Sequence, residues 1–241
     1  MDLNLLVDLG LSNGLWLFKN DSIKVSPANF EDILGRGLNG SIIGQKSRVD
    51  HISISHFEFR AALVSYPYET YFPKRYWSEN RNGSIGAGIF YRFDIIFDYQ
   101  EKQLFLQPNS NFKDSFHYNM SGIEVQHNGV EFVKESTRTT DSKTNGGEDV
   151  SYLITGGSNL HYKFTLKPIF EIATLRINSP AAIADLLPGD KIVKINKRNV
   201  QRFTIQSINE LFQSEEGKWI YIDVERNGHL ISYKFQLQKI I

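Results

Sequence analysis

Short apolar segments separated by polar residues run along most of the chain. They either alternate with polar residues or form runs of about four to eight, and both patterns indicate β-strands. The predicted strands cover residues 3–7, 15–18, 49–59, 93–99, 103–106, 122–125 and 130–133. The pattern therefore predicts a mainly β protein.

Two stretches have the features of helices. The first, 180–187, follows Ser179, a good N-cap residue, and starts with Pro180, which suits the first helical position. The second, 204–215, follows the N-cap candidate Thr204. Its apolar residues recur at helical spacing and would form one buried stripe: Ile205, Ile208, Leu211 and Phe212.

Turn signals divide the chain into two predicted domains. A hairpin is predicted from 94–99 and 103–106. Pro108 ends it, because proline has no amide hydrogen to donate to a neighbouring strand. Residues 108–119 are polar and turn-prone, which is typical of a linker. We therefore expect one domain at 1–108 and a second at 117–241, with 135–149 as an exposed loop or hairpin tip.

Composition excludes several classes of partner. Lys and Arg total 27, as do Asp and Glu, so no net positive charge favours nucleic acid or a lipid surface. The apolar runs fall short of the roughly 20 residues of a membrane helix. The chain has no cysteine, its six histidines are scattered, and no nucleotide-binding motif occurs. We predict no metal and no cofactor.

Three motifs in the second half resemble the signature of bacterial PDZ domains. They are Ser-Pro-Ala-Ala at 179–182, Leu-Pro-Gly-Asp at 187–190 and Lys-Ile-Val-Lys-Ile-Asn at 191–196. The resemblance covers 170–237 and is weaker over 121–162. Asp185 and Lys197 stand where glycines are usual. The resemblance implies a module that binds an extended peptide, usually a protein C-terminus, as an added strand beside a helix.

The same resemblance implies a binding groove. The loop for a terminal carboxylate would be 166–170, with Pro168 lacking an amide donor and Lys167 offering a compensating charge. The edge strand would be 171–175. The implied peptide-binding residues are Lys167, Pro168, Ile169, Phe170, Glu171, Ile172, Ile205, Ile208, Asn209 and Phe212. The alternative is a groove filled by the chain itself.

An Asp-Leu-Gly motif follows the first apolar segment. Asp8 ends that segment, and a later Ile85-Gly86 precedes a possible short helix. Residues 3–106 thus resemble one lobe of the retropepsin-like aspartic proteases. The order of lobe and PDZ module is similar to aspartyl protease family proteins of the Bacteroidetes, which are hydrolases. The resemblance gives Asp8 the catalytic role, although Leu9 replaces the family's threonine and Leu11 its alanine.

Aspartic protease chemistry needs two aspartates that share a proton, and the chain has one such motif. Only seven residues precede Asp8. We therefore expect a longer parent chain with a second lobe, or else a homodimer, and an inactive chain when isolated. A signal peptide in the parent would place it in the periplasm or outside the cell. The glycine-rich window 35–44 is a candidate flap. The alternative is a noncatalytic peptide-binding scaffold with a degenerate lobe.

Overall fold

A computed structural model describes residues 1–37, 40–71, 80–138, 153–155 and 160–241. The chain forms two compact units. The first consists of Met1–Tyr118 with Lys239–Ile241, and the second of Asn119–Gln238. Most of the described structure is strand, which confirms the mainly β prediction. No helix in these ranges is long and apolar enough to cross a membrane.

The first unit is built on a six-stranded sheet. Its strands are β1 (Leu5–Asp8), β2 (Leu15–Leu17), β3 (Asn29–Gly37), β4 (Gly40–Ile54), β5 (Phe57–Pro67) and β6 (Gly83–Gly86). They lie in the order β1-β6-β2-β5-β4-β3. Helix α1 (Ala87–Phe90) and the hairpin of β7 (Phe93–Asp98) and β8 (Gln103–Pro108) follow. Apolar side chains of the sheet, α1 and the hairpin share one core.

The predicted hairpin before Pro108 is confirmed, since β7 and β8 pair antiparallel. The predicted strand 49–59 is wrong: it is two strands, β4 and β5, that turn at Ser55 and His56. Ser55 adopts a positive φ of 54°, which a two-residue hairpin turn requires at its first position. Apolar residues alternate before and after the turn, but the alternation shifts by one position between Ile54 and Phe57, and this break marks the turn.

The candidate flap 35–44 coincides with the end of the β3–β4 hairpin, apart from residues 38 and 39, which lie outside the described ranges. Gly44 is not a source of mobility, because a Cβ there would lie 2.2 Å from the carbonyl oxygen of Tyr66. Its glycine is needed for the close approach of β4 and β5. The flap role remains a prediction.

The second unit holds a seven-stranded sheet. Its strands are β9 (Ile123–Arg138), β10 (Leu153–Thr155), β11 (Leu160–Leu175), β12 (Lys191–Ile195), β13 (Arg198–Asn199), β14 (Trp219–Arg226) and β15 (His229–Gln236). The path is β10-β11-β12-β14-β15, with β9 paired to β11 and β13 to β12. The helices are α2 (Pro180–Ile183) and α3 (Ile205–Phe212).

The predicted strands 122–125 and 130–133 are one strand, β9, which also includes 135–138 of the predicted loop. Asn128-Gly129 reads locally as a turn, yet the long pairing with β11 continues past it. Gly129 adopts φ +80° where the register shifts opposite Pro168 and Phe170, so the glycine forms a bulge. The rest of the predicted loop, 139–149, lies outside the described residues.

Both predicted helices form, although each is shorter than predicted. Ser179 caps α2 by accepting from the amide of Ala182, and Thr204 caps α3 in a reciprocal pair with Ser207. Asp185, in place of the usual glycine, adopts the left-handed conformation with φ +65° and ends α2. An aspartate tolerates this conformation because its short polar side chain bonds locally.

Candidate functional site

The segment predicted to receive a peptide carboxylate is a strand and not a loop. Residues 166–170 lie within β11, where Lys167 faces Glu131 and Pro168 faces Val130 across β9. Ile169 falls in the register shift beside Pro168, a place where a strand tolerates proline. The loop prediction is therefore wrong, because a long partner strand takes up this segment.

The predicted edge strand is also covered on both sides. Glu171 pairs with Gln126 of β9 on one side and with Lys191 of β12 on the other. The amide of Ile172 donates to the carbonyl of Asp190 at 3.0 Å, and its carbonyl accepts from Gly189 at 2.8 Å. Phe170 and Ile172 are buried. This strand has no free backbone edge there for a peptide.

The helix side of the predicted groove is present as a helix face. Ile208 and Phe212 are fully buried, whereas Ile205 and Asn209 on the same face of α3 are half-buried. The carbonyl of Phe212 accepts a hydrogen bond from the amide of Met120 at 2.9 Å. The C-terminal end of α3 therefore meets the residues that lead into β9. That the α3 residues bind a peptide remains a prediction.

The structure offers a different edge strand, β9. One edge of β9 pairs with β11 along its whole length, and its other edge has no strand partner in the described part of the chain. The carbonyl of Gly122 faces β11, because it accepts from the amide of Arg176 at 2.9 Å. Strand alternation then directs the backbone groups of Val125 and His127 to the open edge.

A tight turn, 119–122, leads into this strand. Asn119 Oδ1 accepts from the amides of Ser121 and Gly122 at 3.0 and 3.1 Å, and from Ser121 Oγ at 2.7 Å. Ser121 Oγ accepts in turn from the amide of Ile123 at 3.0 Å. Three successive amides at the start of β9 are thus satisfied by side chains of the turn itself.

The turn is anchored to its surroundings by its backbone as well. The carbonyl of Ser121 accepts from Ala181 in α2 at 3.2 Å, and Arg176 Nη1 donates to the carbonyl of Asn119 at 3.0 Å. Gly122 has φ +79°, and a Cβ on it would lie 2.2 Å from Ser179 Cβ. Glycine is required here both for the backbone conformation and for the close approach to α2.

Sequence reasoning assigned Asn119 to the linker and missed this turn. The available signal is a small residue and a glycine, Ser121-Gly122, directly before the aliphatic start of a strand. Such a pattern is short and common, so it indicates a binding turn only when the strand that follows it lies at the edge of a sheet. Pairing between β9 and β11 supplies that information.

Asp8 ends β1, an outer strand of the first unit's sheet. β1 runs parallel to β6, with Asp8 opposite Gly86, and Asp8 Oδ1 accepts from the amide of Gly10 at 3.0 Å. The amide of Ala87 at the start of α1 donates to the carbonyl of Leu11 at 2.8 Å. A turn that presents a half-buried carboxylate therefore rests on the β6–α1 junction.

The glycine of that junction permits the contact. A Cβ on Gly86 would lie 2.3 Å from the carbonyl oxygen of Asn13 and 2.4 Å from that of Leu11. Gly86 thus packs directly against the segment that follows the Asp8 turn. Its catalytic meaning remains a prediction.

Arg81 is the cation that acts on Asp8. Its Nε donates to the carbonyl of Gly83 at 2.9 Å and its Nη2 to Ser84 Oγ at 2.5 Å. Burial lowers the pKa of the Arg81 guanidinium, and the negative charge of Asp8 opposes that change. Within the described ranges, no three His, Asp or Glu side chains converge on a metal-binding position.

Comparison with known proteins identifies one domain. The PDZ domain family matches residues 171–226. No curated protein matches the chain. Similar solved structures include the HtrA-type protease AlgW with a decapeptide (13% identity, 97% of this chain, TM-score 0.34) and a variant of it with a decapeptide (14% identity, 92% of this chain, TM-score 0.35). Both alignments span 63% of the solved chain.

The matched region runs from β11 through α2, β12 and α3 to the end of β14. It contains the three motifs on which the sequence resemblance depended. The chain therefore contains a PDZ domain.

Proposed function

We propose that this chain binds extended peptides through its PDZ domain, at the open edge of β9 beside α3. The observation that carries the proposal is that, among the residues the structure describes, no strand pairs with the edge of β9 opposite β11, so a peptide can add there as a further strand. Ile205 and Asn209 on α3 would contact alternate side chains of the peptide.

Backbone bonding supplies affinity in this mode, and side-chain pockets supply selectivity. Half-buried Ile205 offers an apolar contact and Asn209 a polar one. Neutral net charge is consistent with recognition that depends on shape and hydrogen bonds more than on long-range attraction. These features favour a peptide over nucleic acid or lipid.

A random decapeptide library tests the proposal. Binding is expected to shift the amide resonances of Val125 and His127 and to protect them from hydrogen exchange. Ile205→Asp is expected to weaken binding about tenfold or more, because it places a charge on the apolar wall. Gln206→Asp is the matched control: Gln206 is exposed in the same helical turn, where aspartate is compatible with the helix dipole.

Two results would contradict the proposal. One is a library from which no peptide perturbs the β9 amides. The other is equal weakening by Ile205→Asp and Gln206→Asp, which would place the bound peptide elsewhere. The unfolding transitions of both variants are measured alongside, so that a loss of folding is recognised.

We also propose that the first unit is one lobe of an aspartic-type endopeptidase, of the kind found with PDZ domains in the Bacteroidetes. The supporting observation is the position of Asp8 on a turn over the β6–α1 junction. A second lobe, in a longer parent chain or a homodimer, would supply the other carboxylate. The two carboxylates would share one proton, and the ionised one would activate the attacking water.

Peptide cleavage at acidic pH tests this second proposal. A parent protein that contains this chain is expected to cleave peptides, and Asp8→Asn to reduce kcat by about a thousandfold or more, as loss of a catalytic group does. Asp2→Asn, an equivalent change at an exposed position, is the control. Equal activity of Asp8→Asn and the parent, or no cleavage at all, would favour the noncatalytic scaffold.

A further inference from the structure

Three successive amides at the start of β9 form the kind of backbone nest that captures a carboxylate. They belong to Ser121, Gly122 and Ile123. A peptide that added to the open edge of β9 would bring one of its ends towards this turn. The state of these amides therefore decides whether the peptide end is recognised.

Asn119 already occupies the nest. Its Oδ1 accepts from two of the three amides and from the hydroxyl of Ser121, as a carboxylate oxygen would. Ser121 Oγ accepts from the third amide, that of Ile123. An incoming carboxylate would have to displace both side chains before it met a free donor.

The other end of the Asn119 amide makes displacement harder. Its Nδ2 donates to the carbonyl of Ile123 at 2.7 Å, on the same residue whose amide bonds to Ser121. A carboxylate has no hydrogen to replace this bond. Ile123 lies on the open-edge side of β9, as Val125 and His127 do, so only an amide of the added strand could then pair with this carbonyl.

Burial and anchoring hold the turn in this state. Ser121 and Ile123 are 0% exposed, and Met120 is 6% exposed. Backbone bonds tie the turn to three places: from Met120 to the end of α3, from Ser121 to α2, and from Gly122 to Arg176 beside β11. The amides are neither open to solvent nor on a segment free to swing away.

We infer that Asn119 is a specificity-determining residue that excludes terminal carboxylates, so that the groove takes an internal segment of an extended chain. The inference rests on the proposed function, because it concerns the ligand of the same β9 edge. Selection then depends on side-chain contacts with α3 and not on a free C-terminus. A protein with such a groove would recognise accessible segments in the middle of a substrate or partner.

The test uses one decapeptide library in three chemical forms: with a free C-terminal carboxylate, with a C-terminal amide, and with three further residues, Gly-Ser-Gly, at the C-terminus. Binding to the full chain is followed by the amide resonances of Val125 and His127. Equal affinity within about threefold across the three forms is expected. Tenfold or tighter binding of the free acid would overturn the inference while leaving the proposed function intact. Absence of binding in every form would overturn both.

Variants of Asn119 give an independent readout. Asn119→Ala frees the amides of Ser121 and Gly122, so the free acid is expected to gain about tenfold over the amide. Asn119→Asp keeps an acceptor over the same amides and adds a negative charge, so no such preference is expected. The matched control is Asn199→Ala. Asn199 Oδ1 accepts a hydrogen bond from the amide of Gln201 in another turn of the domain, so this variant removes a similar bond.

Thermal unfolding and the β9 amide spectrum report whether each variant keeps its fold. If a folded Asn119→Ala variant binds the free acid and the amide equally, Asn119 does not set the preference, and the inference fails. If Asn119→Ala does not fold, the inference is decided by the three forms of the library with the unaltered chain.

Discussion

Arg226 holds Asp190 with two parallel hydrogen bonds, Nε to Oδ1 at 2.6 Å and Nη2 to Oδ2 at 2.7 Å. Asp190 is 1% exposed and also accepts from the amide of Leu187. Nη2 of Arg226 reaches the carbonyl of Asp185 as well, at 2.9 Å. One guanidinium thus joins the end of β14 to the turn between α2 and β12.

Arg226→Met is expected to destabilise the second unit by about 3 kcal/mol, because it leaves the buried Asp190 carboxylate without its cation. Hydrogen exchange of β12 and β14 amides measures the loss as roughly a hundredfold decrease in protection. Lys194→Met is the control. Lys194 lies 3.9 Å from Asp223 and is 46% exposed, so its loss is expected to cost less than about 1 kcal/mol. Equal losses of stability in Arg226→Met and Lys194→Met would show that the buried Arg226–Asp190 pair stabilises the unit no more than an exposed ion pair does.

Arg92 organises the segment after β8. Its side chain is almost completely buried and donates to the carbonyls of residues 111, 112, 114 and 115, while its guanidinium lies 4.0 Å from the ring centroid of Phe116. A lysine has a single ammonium and cannot reach this fan of acceptors. We expect Arg92→Lys to destabilise the first unit by about 2 to 4 kcal/mol.

Hydrogen exchange over residues 109–116 measures the effect of Arg92→Lys directly. The control is Arg60→Lys, at an exposed position where the change is expected to cost less than about 0.5 kcal/mol. Unchanged protection of 109–116 in Arg92→Lys would mean that this segment is held by its phenylalanines and not by the guanidinium.

Burial raises the pKa of Tyr66, whose side chain is 2% exposed. The folded state therefore prefers the neutral phenol, and this contribution to stability is complete below the unfolded pKa of about 10. It is lost as the pH rises from about 10 through the raised pKa of the folded state. We expect the free energy of unfolding to fall by up to about 1.4 kcal/mol per pH unit for this one group.

Tyr66→Phe is expected to reduce this alkaline slope when the free energy of unfolding is measured in urea at a series of pH values. Tyr99→Phe is the control, since Tyr99 is 86% exposed. Identical slopes for Tyr66→Phe and the unaltered chain would show that other groups dominate the alkaline transition.

Local features of the fold could be predicted from sequence, and long-range pairing could not. The caps Ser179 and Thr204 and the Asn227-Gly228 hairpin follow from interactions within a few residues. The β9–β11 pairing joins residues far apart in the chain, so the local apolar pattern predicted two short strands, 122–125 and 130–133, where one long strand forms. The edge strand predicted at Glu171 is wrong because β9 and β12 pair with it on both sides.

In the candidate site, too, local features could be predicted from the sequence and long-range contacts could not. The apolar face of α3 is visible as helical periodicity. The turn at Asn119 resembles a linker, because its importance comes from hydrogen bonds of one side chain to the start of a strand. The spacing of apolar residues does not predict such hydrogen bonds. For Asp8, the motif predicts its place on a turn but not the charge of Arg81, which lies far from Asp8 in the sequence.

Two glycines, Gly122 in the turn before β9 and Gly129 within β9, allow the cost of backbone strain to be measured separately from the cost of a steric overlap. Gly122 and Gly129 have nearly the same φ, +79° and +80°, so alanine meets a similar conformational penalty at each, about 1 to 2 kcal/mol. At Gly129 the added Cβ has nothing within 4 Å, whereas at Gly122 it would overlap the side chain of Ser179. We expect Gly122→Ala to cost at least about 2 kcal/mol more than Gly129→Ala.

The difference is measured as the free energy of unfolding of the second unit, from hydrogen exchange of amides in β12 and β14. Gly122→Ala is also expected to displace the Asn119 turn and shift the amide resonances of Ser121 and Ile123, while Gly129→Ala leaves them in place. Equal costs for the two variants would mean that the turn can move away from Ser179. In that case the nest at the start of β9 would be mobile enough to release Asn119, and free acids would compete for its amides.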